Sequence, residues 1–245
     1  RRNAPEQLDK PYLVLVSIDG MRWDFTDLCD TPAIDRLARQ GLKAEALQPV
    51  FPTLTFPNHF SIATGMYPEH HGIAANDFPG DDGQLWYHYK DRSTVQNGEW
   101  YLADPIWVTA EKQGMLSAAF YFVGTEANID GIWPTHWRAF DAEVSGETRV
   151  DQVLGWLAEP AETRPHVITL YFEDVDDHTH WSGPGSAESI GAIRRVDGYL
   201  DRLLEGIDQL PYGDQVYILL VSDNGMAPNK PDLKPLILDQ DVDLS

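Results

Sequence analysis

Tyr12-Leu-Val-Leu-Val-Ser-Ile-Asp-Gly20 decides the fold of this chain. Its first seven residues are apolar with a single break at Ser17. A strand with one face in water would alternate apolar and polar side chains, so this run belongs in a parallel sheet covered on both faces. Asp19 and Gly20 then fall at the carboxyl end of the strand, the edge where open α/β sheets bind their ligands.

The same unit recurs along the sequence. Val167-Ile-Thr-Leu-Tyr-Phe172 and Val216-Tyr-Ile-Leu-Leu-Val221 are equally continuous, residues 116–122 form a third such run, and a strand is also expected over 43–50. Segments of helical period lie between them. Thr31-Pro32 reads as an N-cap followed by proline at the first helical position, with Ile34, Leu37 and Ala38 on the apolar face and Gly41 at the C-cap. Further helices are expected to open near Pro57 and to cover 105–113, 147–157 and 187–207. This alternation predicts one α/β domain over 1–245: a doubly wound, mostly parallel sheet with helices on both faces. Residues 76–104, rich in Gly, Asp and aromatics without a clear period, read as an excursion over the site.

The composition narrows the functional classes. The 245 residues carry 18 basic and 39 acidic side chains, a formal charge of −21 at pH 7. A nucleic-acid polymer needs a basic footprint to displace its counterions, and an anionic membrane needs the same. No apolar run is long enough to span a bilayer. The single cysteine, Cys29, has no partner for an internal disulfide, and a chain of this length needs none: it buries on the order of 70% of its unfolded surface.

Three expected strands deliver carboxylates to one edge of the sheet. The first ends at Asp19, the second runs into Glu173-Asp174-Val175-Asp176 with His180 four residues on, and the third ends at Asp223-Asn224. An Asp after a strand is often only a turn former or the cap of the next helix. Three together would repel one another unless a cation lay among them, and oxygen ligands with an imidazole suit zinc, manganese or another first-row divalent ion. In Phe51-Pro-Thr-Leu-Thr55-Phe-Pro-Asn-His59, Thr55 falls just before a helix start, where free backbone N–H groups favour an anion. Its hydroxyl is either an N-cap or a nucleophile, and as a nucleophile it would need a metal to lower its pKa.

These motifs, in order, resemble the nucleotide pyrophosphatase/phosphodiesterase family of the alkaline phosphatase superfamily. The resemblance rests on Val16 to Arg22, Phe51 to His59, Thr64-Gly-Met-Tyr-Pro68, His71-Gly72, Tyr171-Phe-Glu, Asp176-x-x-x-His180 with Gly183-Pro184, and Val221-Ser-Asp223. It implies two divalent metal ions, most simply zinc, flanking one phosphoryl group. One would be held by Asp19, Thr55 and Asp223, the other by Asp176 and His180. Thr55 would attack phosphorus and form a phospho-threonine that water then hydrolyses. Asn76 matches the asparagine that donates to a phosphate oxygen, and Phe56 and Tyr171 match aromatics that stack a nucleotide base. His59, His70, His71, His136 and His178 are read as structural or surface histidines.

Two departures stand out. The family pattern has a histidine ligand after the last aspartate, where this chain has Asn224, which offers only an amide oxygen to that metal. A further histidine ligand belongs to a segment beyond Leu236-Ile-Leu-Asp239-Gln-Asp-Val-Asp243, so the expectation is a catalytic domain truncated at its C-terminus. Three functions follow as alternatives. They are hydrolysis of phosphodiester or pyrophosphate bonds in small nucleotides, nucleotide or phosphate binding without efficient turnover, and phosphonate or phosphomonoester hydrolysis. The lack of Asn-x-Ser/Thr sequons and of cysteine pairs suggests a bacterial periplasmic or secreted setting.

Overall fold

The structure, a computed structural model, describes residues 1–80 and 83–228. In chain order its elements are β1 (Tyr12–Ile18), α1 (Pro32–Gln40), α2 (Thr55–Thr64), α3 (Pro68–His71), β2 (Asp77–Pro79), β3 (Trp86–His88) and α4 (Arg92–Val95). They continue as α5 (Ile106–Lys112), β4 (Ser117–Phe120), β5 (His136–Trp137), α6 (Gly146–Leu157), β6 (Val167–Phe172), α7 (Asp174–Ser182), α8 (Ala187–Asp208) and β7 (Val216–Val221). Five strands form one parallel sheet in the order β5-β4-β6-β1-β7, with β1 paired to β6 on one side and to β7 on the other.

The continuous apolar runs have the expected cause: both faces of the sheet are covered. Val14, Val16 and Ile18 of β1 pack with Ile168, Leu170 and Phe172 of β6 against α6 and α8, through Val150, Val153, Ile193, Val196 and Leu200. Leu15 points to the opposite face, where Phe60 of α2, Trp107 and Val108 of α5, and Phe122 form a second core. Each fully buried Val, Leu, Ile or Phe contributes roughly 1.5–3 kcal/mol through removal of apolar surface from water. The excursion at 76–104 holds the β2–β3 ribbon and α4, and its Tyr87, Val95 and Tyr101 join that second core.

Four local expectations need correction. Residues 43–50 form no strand; they are exposed save for the half-buried Val50, with Leu42 and Leu47 in solvent. Their Lys43, Glu45 and small alanines cannot line a sheet buried on both faces. Helix α2 opens at Thr55 rather than near Pro57; proline fits in the first turn, whose N–H groups have no intrahelical acceptor. Thr31 makes no cap hydrogen bond. The Asp197 carboxylate of α8 takes its place, accepting from Ala33 N at 3.2 Å and Ile34 N at 3.0 Å. Finally, β6 stops at Phe172 as expected, but the carboxylates after it stand on an unexpected helix: Asp176 lies on α7, whose buried side is only Val175 and Thr179. The stretch 236–243 lies outside the described residues.

Candidate metal centre and nucleophile

The register of the sheet brings the first and last carboxylates together. Ser17 of β1 pairs with Val221 of β7, so Asp19 and Asp223 leave adjacent strands at the same level, two residues later. Gly20 N–H donates to Asp223 Oδ1 at 3.2 Å, and Asp19 N–H continues the ladder to the Phe172 carbonyl at 2.9 Å. Gly20 has φ +69°, and a Cβ there would lie 3.0 Å from the Asp176 Cα. Only glycine permits this turn at this spacing, and the turn sets the start of α7 against the end of β1.

Both aspartates are buried, each about 2% exposed. The Tyr171 hydroxyl donates to Asp19 Oδ2 at 2.6 Å. The other oxygens, Asp19 Oδ1 and Asp223 Oδ2, have no hydrogen-bond partner. Burial, then the charge of Asp223, holds the Asp19 pKa well above the carboxylate range, and burial pushes Asp223 up to about 7. Two buried carboxylate oxygens without hydrogen-bond partners cost several kcal/mol in the absence of a counter-charge. This donor set therefore fits a hard or borderline divalent cation.

Asp176 and His180 stand one turn apart on α7, with His180 Nε2 3.3 Å from Asp176 Oδ1. Burial raises the Asp176 pKa, and its charge reaches Asp19. The turn before α7 is clamped from beneath. The buried Arg149 of α6 donates to the Glu173 carboxylate at 2.6 Å through Nη2, and through Nη1 to the Tyr171 carbonyl at 2.9 Å. It also donates to the Val144 carbonyl at 3.0 Å, and its guanidinium lies 4.9 Å from the centre of the Tyr121 ring.

Thr55 is the first residue of α2, following the extended Leu54. Three side chains fix this turn. Asn76 Oδ1 accepts from Phe56 N at 3.0 Å, satisfying one of the free donors of the helix start. Asn58 accepts from Val50 N at 2.7 Å and donates to the Leu54 and Pro52 carbonyls at 2.9 and 3.1 Å, which seats the loop before the helix. His59 Nδ1 lies 2.8 Å from the Thr55 carbonyl and 3.5 Å from Asp223 Oδ2. One imidazole nitrogen thus touches both the helix start and the carboxylate pair.

The expected site residues divide into two groups. Asp19, Asp223 and Asp176 share one edge of the sheet, His180 extends it, and Asn76 adjoins Thr55. The half-exposed Phe56 ring faces Tyr87 and Tyr89 edge-on at 6.0 and 5.7 Å. Tyr171, expected against a base, spends its hydroxyl on Asp19 and turns its ring edge-on to His59 at 5.3 Å. The Asn224 amide donates to the Gly225 carbonyl at 3.3 Å, along its own loop.

His59, read from the sequence as a structural or surface histidine, is buried beside the carboxylate pair. Ligand atoms of Asp19, His59 and Asp223 all lie within 4.8 Å of one another. Its position one helical turn after Thr55 was the available signal. The remaining histidines hold structure. His71 is buried between Ser61 Oγ and Ile73 N, and burial lowers its pKa to about 4. His178 lies 2.8 Å from the Asp174 carbonyl, His136 stacks on Trp156, and His70 is exposed.

Comparison with known proteins identifies the family of the chain. The family model described as type I phosphodiesterase / nucleotide pyrophosphatase matches residues 13–245. Human ectonucleotide pyrophosphatase/phosphodiesterase family member 1 is 38% identical over 225 residues, which is 91% of this chain and 24% of the relative. A venom phosphodiesterase of Crotalus durissus collilineatus is also 38% identical, over 91% of this chain and 27% of its own length. The chain thus spans about a quarter of the length of these curated relatives. Among solved structures, murine ectonucleotide pyrophosphatase/phosphodiesterase 5, an inactive variant in complex with AMP, superposes with a TM-score of 0.86 at 28% identity. That match covers 96% of this chain and 62% of the other.

Proposed function

The chain belongs to the type I phosphodiesterase/nucleotide pyrophosphatase family, and from that premise we propose that its site hydrolyses phosphodiester or pyrophosphate bonds in small nucleotides and related esters. The observation that carries this reading is the buried Asp19–Asp223 pair, its two oxygens unpartnered, beside the helix turn that bears Thr55. Asp19, Asp223 and the Thr55 hydroxyl would hold one divalent ion, zinc by donor preference, with Asn224 in the place of a histidine. Asp176 and His180 would hold a second. Such ions lower the pKa of a bound hydroxyl and offset the charge that builds on phosphoryl oxygens.

The chain's own residues then divide the work. Thr55 Oγ, freed of its proton, attacks phosphorus from the side opposite the leaving group. The Oγ–P bond forms as the P–O bond to the leaving alcohol or phosphate breaks, and the proton given up by Thr55 ends, through solvent, on the leaving oxygen. Water then attacks phosphorus of this nucleotidylated phospho-threonine; the Oγ–P bond breaks, the nucleoside monophosphate leaves, and Thr55 Oγ takes a proton from that water. The start of α2 places backbone N–H groups and the positive end of the helix dipole toward the anion. With Asn76 Oδ1 held by Phe56 N, its NH2 is the edge assigned to a non-bridging phosphate oxygen. Phe56 offers an aromatic face to a base; Tyr171 acts chiefly by orienting Asp19. The relatives named as ecto-enzymes and venom enzymes support an extracellular or secreted setting, and no helix among the described residues is long and apolar enough to cross a membrane.

One observation favours a second reading, nucleotide binding with little turnover: the Asn224 amide is engaged along its own loop rather than with the carboxylates. Hydrolysis of a p-nitrophenyl nucleotide ester with added zinc separates the two. The primary reading expects turnover that Thr55→Ala abolishes and Asn224→His raises at least tenfold. Robust turnover by Thr55→Ala removes Thr55 from the chemistry. Absence of turnover in both the wild type and Asn224→His, with nucleotide still bound, supports the second reading.

A further inference from the structure

We propose that His59 is the positioning residue of the nucleophile, fixing Thr55 against the Asp19 strand through its two ring nitrogens, and that it is not a metal ligand. The inference rests on the reading of Thr55 as nucleophile and assigns a role to the one imidazole in the buried centre. His59 is fully buried, and both ring nitrogens are engaged: Nδ1 with the Thr55 carbonyl at 2.8 Å and Nε2 with Ser17 Oγ at 2.8 Å. A carbonyl can only accept, so Nδ1 carries the hydrogen. In the neutral ring Nε2 is then bare and accepts from the Ser17 hydroxyl.

This tautomer leaves no lone pair for a cation. Nδ1 lies 3.5 Å from Asp223 Oδ2, yet its hydrogen is committed to the helix, and the Nε2 lone pair is committed to Ser17. Proximity to the two aspartates alone would assign His59 to the metal; the hydrogen bonds assign it to the turn. Two T-shaped contacts keep the ring in place, with Phe122 at 5.0 Å and Tyr171 at 5.3 Å.

What this achieves follows from the chain. Thr55 opens a helix, and the first turn of a helix is its least restrained part. Ser17 stands two residues before Asp19 on a central strand. The imidazole therefore ties the most easily frayed catalytic element to the most rigid one, and fixes the Thr55 backbone relative to Asp19. A misplacement of about 1 Å at such a group costs on the order of 100-fold in rate.

The test uses the full chain with zinc. In the wild type, nitrogen-15 NMR of labelled histidines should show His59 as a neutral ring protonated at Nδ1 and unchanged by zinc, while His180 shifts. A zinc-dependent shift of a His59 nitrogen comparable to that of His180, or an Nε2-protonated ring, would overturn the proposal. Among variants, His59→Asn keeps an N–H donor in the place of Nδ1, and His59→Leu keeps neither contact. His59→Leu should lower kcat about 100-fold with KM within about threefold, and His59→Asn should recover at least tenfold of that loss. Both should retain the wild-type zinc content. Loss of a zinc ion in His59→Asn, unchanged kcat in His59→Leu, or no advantage of Asn over Leu would each contradict it. Should His59→Leu fail to fold, the Asn variant and the wild-type spectrum carry the test. Should Thr55→Ala keep turnover, the nucleophile reading falls, while the tautomer and its indifference to zinc still decide whether His59 holds the turn or the metal.

Discussion

Asp223 carries the clearest consequence at the scale of single residues. With burial pushing it up to about 7 from an ordinary value near 4, the folded protein without metal binds a proton there that the unfolded chain has lost between those two pH values. Stability must therefore fall as pH rises across that window, and the Asp19 carboxyl, raised for the same reason, acts in the same direction. In chelator, the urea midpoint of the wild type should drop between pH 4 and pH 7 relative to that of Asp223→Asn, which has no carboxyl to titrate. Zinc should recover more stability at pH 8 than at pH 5, because ligand binding competes with the proton. A midpoint difference between the two proteins that is flat in pH would contradict this. Asp19 and Asp223 were legible at the sheet edge because each follows the end of an apolar strand, whereas Asp176 stands on α7 beyond the end of β6. The partners that discriminate between them were not. Tyr171 on Asp19 and His59 on Thr55 are set by register and helix rotation, which no local pattern contains.

At the scale of elements, the long apolar strands were readable, the short β2, β3 and β5 were not, and two further segments misled for opposite reasons. β1, β6 and β7 announce themselves through continuous apolar residues, the mark of a sheet covered on both faces. The stretch 43–50 reads as a strand, but it forms none and lies largely in solvent. Helix α7 was hidden because its nine residues bury only Val175 and Thr179 and carry charge elsewhere. What anchors α7 is the turn before it, through the buried pair of Arg149 and Glu173. Arg149→Met strands the Glu173 carboxylate, 13% exposed, without its partner, and should destabilise the fold by about 3–5 kcal/mol. Adding Glu173→Gln should return a large part of that loss, because the uncompensated charge is gone. Urea unfolding of the two variants checks both statements; equal stability of the single and double variants would show that the pair does not clamp this turn.

For the whole molecule, the charge of −21 bears on the carboxylates gathered at the sheet edge. Two divalent ions would make a small cationic pocket at the carboxyl end of the sheet, while the rest of the surface repels a nucleic-acid polymer. On the proposed reading, a single nucleotide ester would fit that field and a long polyanion would not. The fold was legible because the β–α alternation, the strand-end carboxylates and the helix-start threonine all agree on one architecture. The functional account reduces to one statement, that two metal ions sit side by side at this edge. Crystals grown with zinc and measured at the zinc absorption edge test it directly. The account predicts two anomalous peaks, one against Asp19 and Asp223 beside Thr55 and one against Asp176 and His180. Crystals with no peak at the Asp19–Asp223 pair would contradict it.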